Sequence, residues 1–279
     1  MKIDAHQHFW LYNSIDYSWI DDDMLVLKHD FLPVDLEPAL IKAGFSGSVV
    51  VQARQTMEET RWLLQLAAKH PFIKGVVGWV DLCSQNNLRS KLDEFCKSGK
   101  LVGVRHVVHD EKEDDFMLHD NFLKGISLLK DYNLTYDLLL FPRHLPVADM
   151  VVSMFPEQKF VLDHLSKPLI RNQILSPWKE DITRLARHRN VWCKLSGMVT
   201  EADWKNHPKE HFTPYLKTVF EAFGEDRLMT GSDWPVCLVA GNYTETVDIV
   251  KNFLTGMKEE TTLKILGQNC IDFYGLKTT

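Results

Sequence analysis

Residues 73–80 read Ile73-Lys74-Gly75-Val76-Val77-Gly78-Trp79-Val80, an apolar run broken by one charge. Residues 47–52 (Gly-Ser-Val-Val-Val-Gln) and 159–162 (Lys-Phe-Val-Leu) share that character. None alternates apolar with polar, as a strand with one wet face would. Continuous apolar strands belong to parallel sheets covered on both sides. Similar runs lie at 2–5, 101–106, 135–140, 191–195 and 227–230, which makes eight expected strands.

Between them lie patterns of helical period. Residues 60–69 carry Leu63, Leu64, Leu66 and Ala67 on one stripe, and 121–132 do the same with Phe122, Ile126 and Leu129. Further helices are expected at 145–154, 178–188, 214–223, 244–254 and 260–266, with Gly44, Gly99 and Gly224 as stops. Strands alternating with helices imply right-handed crossovers and an all-parallel sheet. No GxGxxG follows the first strand and no P-loop occurs, so a closed (β/α)₈ barrel is favoured over a doubly wound nucleotide-binding sheet. The expected architecture is one α/β domain over residues 1–279, close to the roughly 250 residues typical of such a barrel. Residues 13–32 and 165–177 are longer than the minimal plan needs, and long βα loops are where barrels build function.

Composition narrows the function. The chain is 45% hydrophobic and 25% charged, which excludes disordered and collagen-like classes. A net charge of −6 lacks the basic footprint that nucleic acid or an anionic membrane requires, so neither is an expected partner. The five cysteines are widely spaced with no CxxC, the N-terminus lacks the apolar core of a signal peptide, and no apolar run approaches about 20 residues. These features point to the cytoplasm.

Three stretches carry candidate chemistry. His6-Gln7-His8 ends the first strand, and the period of two puts both imidazoles on one side, able to grip one metal ion or one substrate oxygen. Thr230-Gly231-Ser232-Asp233-Trp234-Pro235 ends the eighth, so Asp233 would face the first strand across a closed barrel, and Gly231 permits close backbone approach. Leu162-Asp163-His164 ends the sixth, offering His164 as a third imidazole and Asp163 as a structural partner of a backbone amide or an arginine. Arg54, Arg105 and His106 end the second and fourth strands, and arginine's planar fork suits a carboxylate or vicinal hydroxyls and ring oxygens. Trp10, Trp79 and Trp234 also fall at strand ends, where an aromatic face could take the apolar side of a bound ring. The run 109–115 reads as a solvated loop, while Glu201 and Asp203 are placed at the substrate end of the site.

Taken together, the His-Gln-His-Phe-Trp opening, Leu-Asp-His-Leu-Ser-Lys-Pro at 162–168, Cys-Lys-Leu-Ser-Gly-Met-Val-Thr-Glu-Ala-Asp-Trp at 193–204 and Gly-Ser-Asp-Trp-Pro-Val-Cys at 231–237 resemble the lactonase branch of the amidohydrolase superfamily. That branch includes L-fuconolactonases, L-rhamnonolactonases and pyrone dicarboxylate lactonases. The resemblance runs from residue 2 to the closing Ile-Leu-Gly-Gln-Asn-Cys stretch. It implies a (β/α)₈ barrel in which His6, His8, His164 and Asp233 are catalytic and His6, His8 and Asp233 are able to hold one Zn²⁺. Arg54, Arg105, His106, Trp10, Trp79 and Trp234 are the expected substrate-binding residues. The fifth strand, Tyr136-Asp137-Leu138-Leu139-Leu140, lacks the Lys or His that bridges two metals in binuclear members. The implied reaction is hydrolysis of a small-molecule sugar lactone to its aldonic acid. A metal-dependent decarboxylase of an unsaturated or aromatic acid, or a pyrone dicarboxylate hydrolase, is the alternative.

Overall fold

The computed structural model describes residues 1–84 and 86–277. Eight parallel strands form one sheet in sequential order: β1 Ile3–Gln7, β2 Gly47–Val51, β3 Ile73–Gly78, β4 Leu101–His106, β5 Thr135–Leu138, β6 Phe160–Leu162, β7 Val191–Leu195 and β8 Leu228–Thr230. The sheet closes at its C-terminal rim, where Gln7 bridges Trp234, the His8 amide donates to Trp234 O at 2.7 Å, and the Asp233 amide donates to His6 O at 2.8 Å. This is a single-domain (β/α)₈ barrel.

The surrounding helices are α1 Pro33–Lys42, α2 Met57–Lys69, α3 Leu88–Cys96, α4 Asp120–Leu129, α5 Leu145–Met154, α6 Trp178–Leu185, α7 Thr213–Phe223 and α8 Tyr243–Phe253. Two of them, α1 and α3, go beyond the helices expected from sequence; Pro38 inside α1 and the weak first turn of α3 obscure the pattern. Strand boundaries shift as well. β1 runs on through Gln7, so His6 lies within the ladder instead of after it. The core fills the space between barrel and helices with buried residues such as Leu63, Leu92, Ile126, Val151, Ile182, Val219 and Val247.

Glycine is used where strands need close contact. A Cβ at Gly231 would lie 2.7 Å from His6 Cβ, so only glycine lets β8 come this near β1. Asp4 then pins the seam from below: its carboxylate accepts from the Ser232 amide at 2.9 Å, Ser232 Oγ at 2.6 Å and Tyr243 Oη at 3.0 Å. These contacts fix the two chain ends against each other, which is what brings the histidine pair to Asp233.

Candidate active site

The closed seam puts His6, His8, His164 and Asp233 in one cluster at the C-terminal mouth. His6 Nε2 and His8 Nε2 are 3.2 Å apart, and Asp233 Oδ1 lies 3.3 Å from His8 Nε2, 3.8 Å from His6 Nε2 and 3.7 Å from His164 Nε2. All three imidazole contacts fall on Oδ1. Four consecutive residues from His164 to Lys167 have positive φ, as does Asp233 at 56°. Left-handed backbone at non-glycine residues is costly and concentrates at functional sites. Gly197 (φ 63°) makes room for the histidine, since a Cβ there would lie 2.5 Å from His164 Nδ1.

Each ring is oriented from behind. His8 Nδ1 lies 2.7 Å from Val51 O, an acceptor only, so Nδ1 carries the proton and the Nε2 lone pair points to the cluster. His164 Nδ1 meets Ser196 Oγ at 2.8 Å. His6 Nδ1 lies 3.3 Å from Asp163 Oδ1 and 3.2 Å from Lys194 Nζ, and its Nε2 lies 3.2 Å from Arg105 Nη1. Beneath it is a buried ionic cluster. Lys194 Nζ binds Asp163 Oδ1 at 2.9 Å and Asp137 Oδ2 at 2.5 Å, Arg105 Nη1 donates to Asp163 Oδ2 at 3.0 Å, and Tyr274 Oη donates to Asp137 at 2.7 Å.

Burial would lower the Lys194 ammonium, but Asp137 and Asp163 outweigh it and hold it above its ordinary value. Burial likewise pushes His164 down to about 4, against the pull of Asp233 and Asp163. Burial alone would raise Asp233, yet the imidazoles of His164, His8 and His6 hold its carboxyl below the ordinary carboxylate range. Near neutral pH the cluster therefore sets an ionised Asp233 beside uncharged His6 and His164 rings, burial holding both imidazoles below their ordinary value. The triangle of His6 Nε2, His8 Nε2 and Asp233 Oδ1 has edges of 3.2, 3.3 and 3.8 Å. Donors about 2.0–2.1 Å from a tetrahedral Zn²⁺ stand roughly 3.3–3.4 Å apart, so this donor set fits one such ion.

The cluster opens into a cavity of about 260 Å³, whose wall includes His8, Arg105, His164, Lys167, Glu201 and Asp233. That is just below the roughly 300–1,000 Å³ of drug-sized sites and suits a single small ring. Arg105 and His164 thus stand where the sequence pattern put them.

Other expected residues lie elsewhere. His106 follows Arg105 on β4, and strand alternation turns it outward, stacked on Phe116 with centroids 4.9 Å apart and bonded to Glu111 at 2.7 Å. Trp79 donates to that same His106 at 3.3 Å. Trp10 is fully buried against Phe31 and donates to His29 O at 2.9 Å, and Trp234 packs edge-on to Phe31 at 5.2 Å. Arg54 pairs with Asp16 and lies 5.4 Å over the Tyr17 ring. Among the described residues none of these five lines the cavity. Its aromatic wall is Trp19 instead. His109 and Asp110 also line the cavity, so the run 109–115 is not simply a solvated loop. Lys194 carried a readable signal: a lysine in a strand expected to be buried on both faces needs internal partners.

An eight-stranded parallel barrel with a His-x-His pair on its first strand and an aspartate after its eighth defines an amidohydrolase-type hydrolase scaffold. The chain belongs to the amidohydrolase family, whose model matches residues 3–276. It is 38% identical over 263 residues to an L-fucono-1,5-lactonase of Burkholderia multivorans, covering 91% of this chain and 88% of that one. An L-fucono-1,5-lactonase of Burkholderia ambifaria is 38% identical over 243 residues, covering 87% and 83%. A crystal structure of a Burkholderia multivorans amidohydrolase with bound zinc superposes with a TM-score of 0.96 at 36% identity, covering 99% of this chain and 100% of that one. No helix among the described residues is long and apolar enough to cross a membrane.

Proposed function

We propose that this protein hydrolyses a sugar lactone to the aldonic acid, with L-fucono-1,5-lactone the first candidate. The observation that carries the reading is the meeting of His6, His8, His164 and Asp233 at the base of a cavity sized for one small ring. The 38% identity to L-fucono-1,5-lactonases supports it. A cytoplasmic location is proposed with it, since buried Cys193, Cys237 and Cys270 remain thiols.

His6 Nε2, His8 Nε2 and Asp233 Oδ1 would hold a Zn²⁺. When bound, it would polarise the lactone carbonyl and acidify a water. Asp233 takes the proton of the attacking water on Oδ2, the oxygen outside its imidazole contacts, and returns it to the departing ring oxygen, which leaves poorly as an alkoxide. His164 Nδ1 lies 2.8 Å from Ser196 Oγ, and with that hydroxyl as the donor the neutral ring would carry its proton on Nε2. There it donates to the carbonyl oxygen as negative charge develops. Arg105 is held by Asp163 and Gln52 O and keeps a fixed positive wall beside the ring.

The test is acid release from a stereochemical panel of aldonolactones. Asp233→Asn should lower kcat by about 10²–10⁴-fold. Wild-type turnover in that variant would remove Asp233 as the base. Decarboxylation of an aromatic acid, with no acid release from any lactone, would favour the alternative chemistry.

A further inference from the structure

The cavity wall mixes two chemistries. Trp19, Ala53, Val107, Leu139 and Val236 are apolar, while Lys167, Thr200 and Glu201 bring polar groups away from the catalytic cluster. Thr200 and Glu201 occupy the centre of a tight turn beyond β7, closed by the Ala202 amide donating to Val199 O at 3.2 Å. The same turn is held from two more sides: Trp204 Nε1 donates to Thr200 O at 2.9 Å, and the Arg171 amide donates to Glu201 O at 2.9 Å. Lys167 Nζ lies 3.6 Å from Glu201 Oε1. The backbone is thus fixed before any ligand arrives, which lowers the cost of binding. Thr200 lines the cavity, but its Oγ1 is buried with no hydrogen-bond partner in the protein, and a turn about χ1 is what would bring it to face a ligand. A buried hydroxyl left unpaired is costly, and such a group in a native cavity calls for an explanation.

We propose that Thr200 and Glu201 determine specificity, each taking a hydroxyl group of a neutral, polyhydroxylated lactone ring, with Lys167 holding the Glu201 carboxylate in place. This rests on the lactonase reading and narrows it to uncharged sugar lactones. A carboxylate only accepts hydrogen bonds, so Glu201 suits a hydroxyl, which has a proton to give, and repels a carboxylate substituent. Thr200 both donates and accepts, so it serves a hydroxyl in either sense. Trp19, the aromatic side chain on the wall, takes the C–H face of the ring. A site built to bond a substrate hydroxyl rejects the analogue that lacks it, because its own polar groups are then left unpaired.

The experiment compares Thr200→Val and Glu201→Gln, both near-isosteric, on L-fucono-1,5-lactone and on δ-valerolactone, a six-membered lactone without hydroxyls. For the sugar lactone, KM should rise about three- to tenfold in Thr200→Val and about ten- to hundredfold in Glu201→Gln, with kcat little changed. For δ-valerolactone, which has no hydroxyl to lose, neither variant should lose activity and Thr200→Val should gain if anything, while Thr200→Ser should keep the sugar-lactone KM. Unchanged KM for the sugar lactone in both variants, or equal losses on both substrates, would overturn the assignment. Should the wild type release no acid from any lactone, the lactonase reading falls by itself. Calorimetry with L-fucopyranose then decides: weaker binding to Thr200→Val and Glu201→Gln supports this wall, and unchanged binding, or none to the wild type, overturns it.

Discussion

Lys194 Nζ lies 2.9 Å from Asp163 Oδ1 with both side chains fully buried beneath His6. The same ammonium binds Asp137, so one cation offsets two buried carboxylates while Arg105 offsets Asp163 from its other oxygen. Removing one partner of a buried ionic group leaves an uncompensated charge. Lys194→Met should therefore destabilise the fold by about 3–5 kcal/mol, measured by urea unfolding. A loss below about 1 kcal/mol would show that the cluster contributes little.

Much of this site was legible in sequence, and the legible part follows from strand geometry. His6 and His8 flank Gln7, so the period of two places both rings together, while Gln7 turns away to donate to Ser48 Oγ at 3.1 Å. Asp233 followed from barrel closure. The errors arose where a strand-end position was taken to mean a cavity-facing one. Arg105 and His106 are adjacent on β4, so only one of them could face inward. Trp10, Trp79 and Trp234 are large apolar surfaces that gain more from packing than from lining a mouth. Thr200, Glu201 and Trp19 sit on loops whose path depends on long-range contacts such as Arg171 to Glu201, so no local pattern reveals which of their side chains meet the cavity.

Gly197 and His164 are coupled through space. Alanine at 197 would carry a left-handed φ of 63° and a Cβ 2.5 Å from His164 Nδ1, so the ring must shift. Displacements near 1 Å in a catalytic array cost about 10²-fold. Gly197→Ala should therefore lower kcat/KM by that order while circular dichroism shows a retained fold. Wild-type kcat/KM in this variant would mean that His164 position is immaterial to the reaction.

His8 should govern metal uptake. Its Nδ1 is tied to Val51 O, which presents Nε2 to the His6–Asp233 triangle at no further cost in ordering. Zinc titration calorimetry on the wild type should give one site per chain, and His8→Ala should weaken it by at least about 100-fold, beyond what loss of an outer partner typically costs. Equal affinity in the two proteins would place the ion elsewhere.

Arg54 acts on the cavity indirectly. Its ion pair with Asp16 and its place over Tyr17 anchor the segment that carries Trp19 to the cavity wall. Asp16 is substantially exposed, so solvent screening leaves the pair itself little weight in stability. The expected signature of Arg54→Ala is a raised KM with a nearly unchanged melting temperature. A large fall in melting temperature with unchanged KM would make Arg54 a packing residue and nothing more.

Glu59 sets a pH dependence away from the catalytic cluster. Burial raises its carboxyl from 4.5 to about 7, although the Arg54 and Ala53 amides, with the charges of Arg54 and Arg105, pull the other way. The Arg54 amide donates to Oε2 at 2.7 Å and the Ala53 amide at 3.0 Å, so the group organises the turn after β2; Tyr17 Oη approaches Oε1 at 3.5 Å. A carboxyl whose folded value exceeds its unfolded one binds more protons when folded. Its contribution is then fully present below about pH 4.5 and is lost as pH rises through about 7. The melting temperature of the wild type minus that of Glu59→Gln should accordingly be larger at pH 5 than at pH 8, because glutamine does not titrate. A difference that stays level, or grows with pH, would mean that Glu59 is ionised in the fold at both values and that its two backbone donors outweigh its burial.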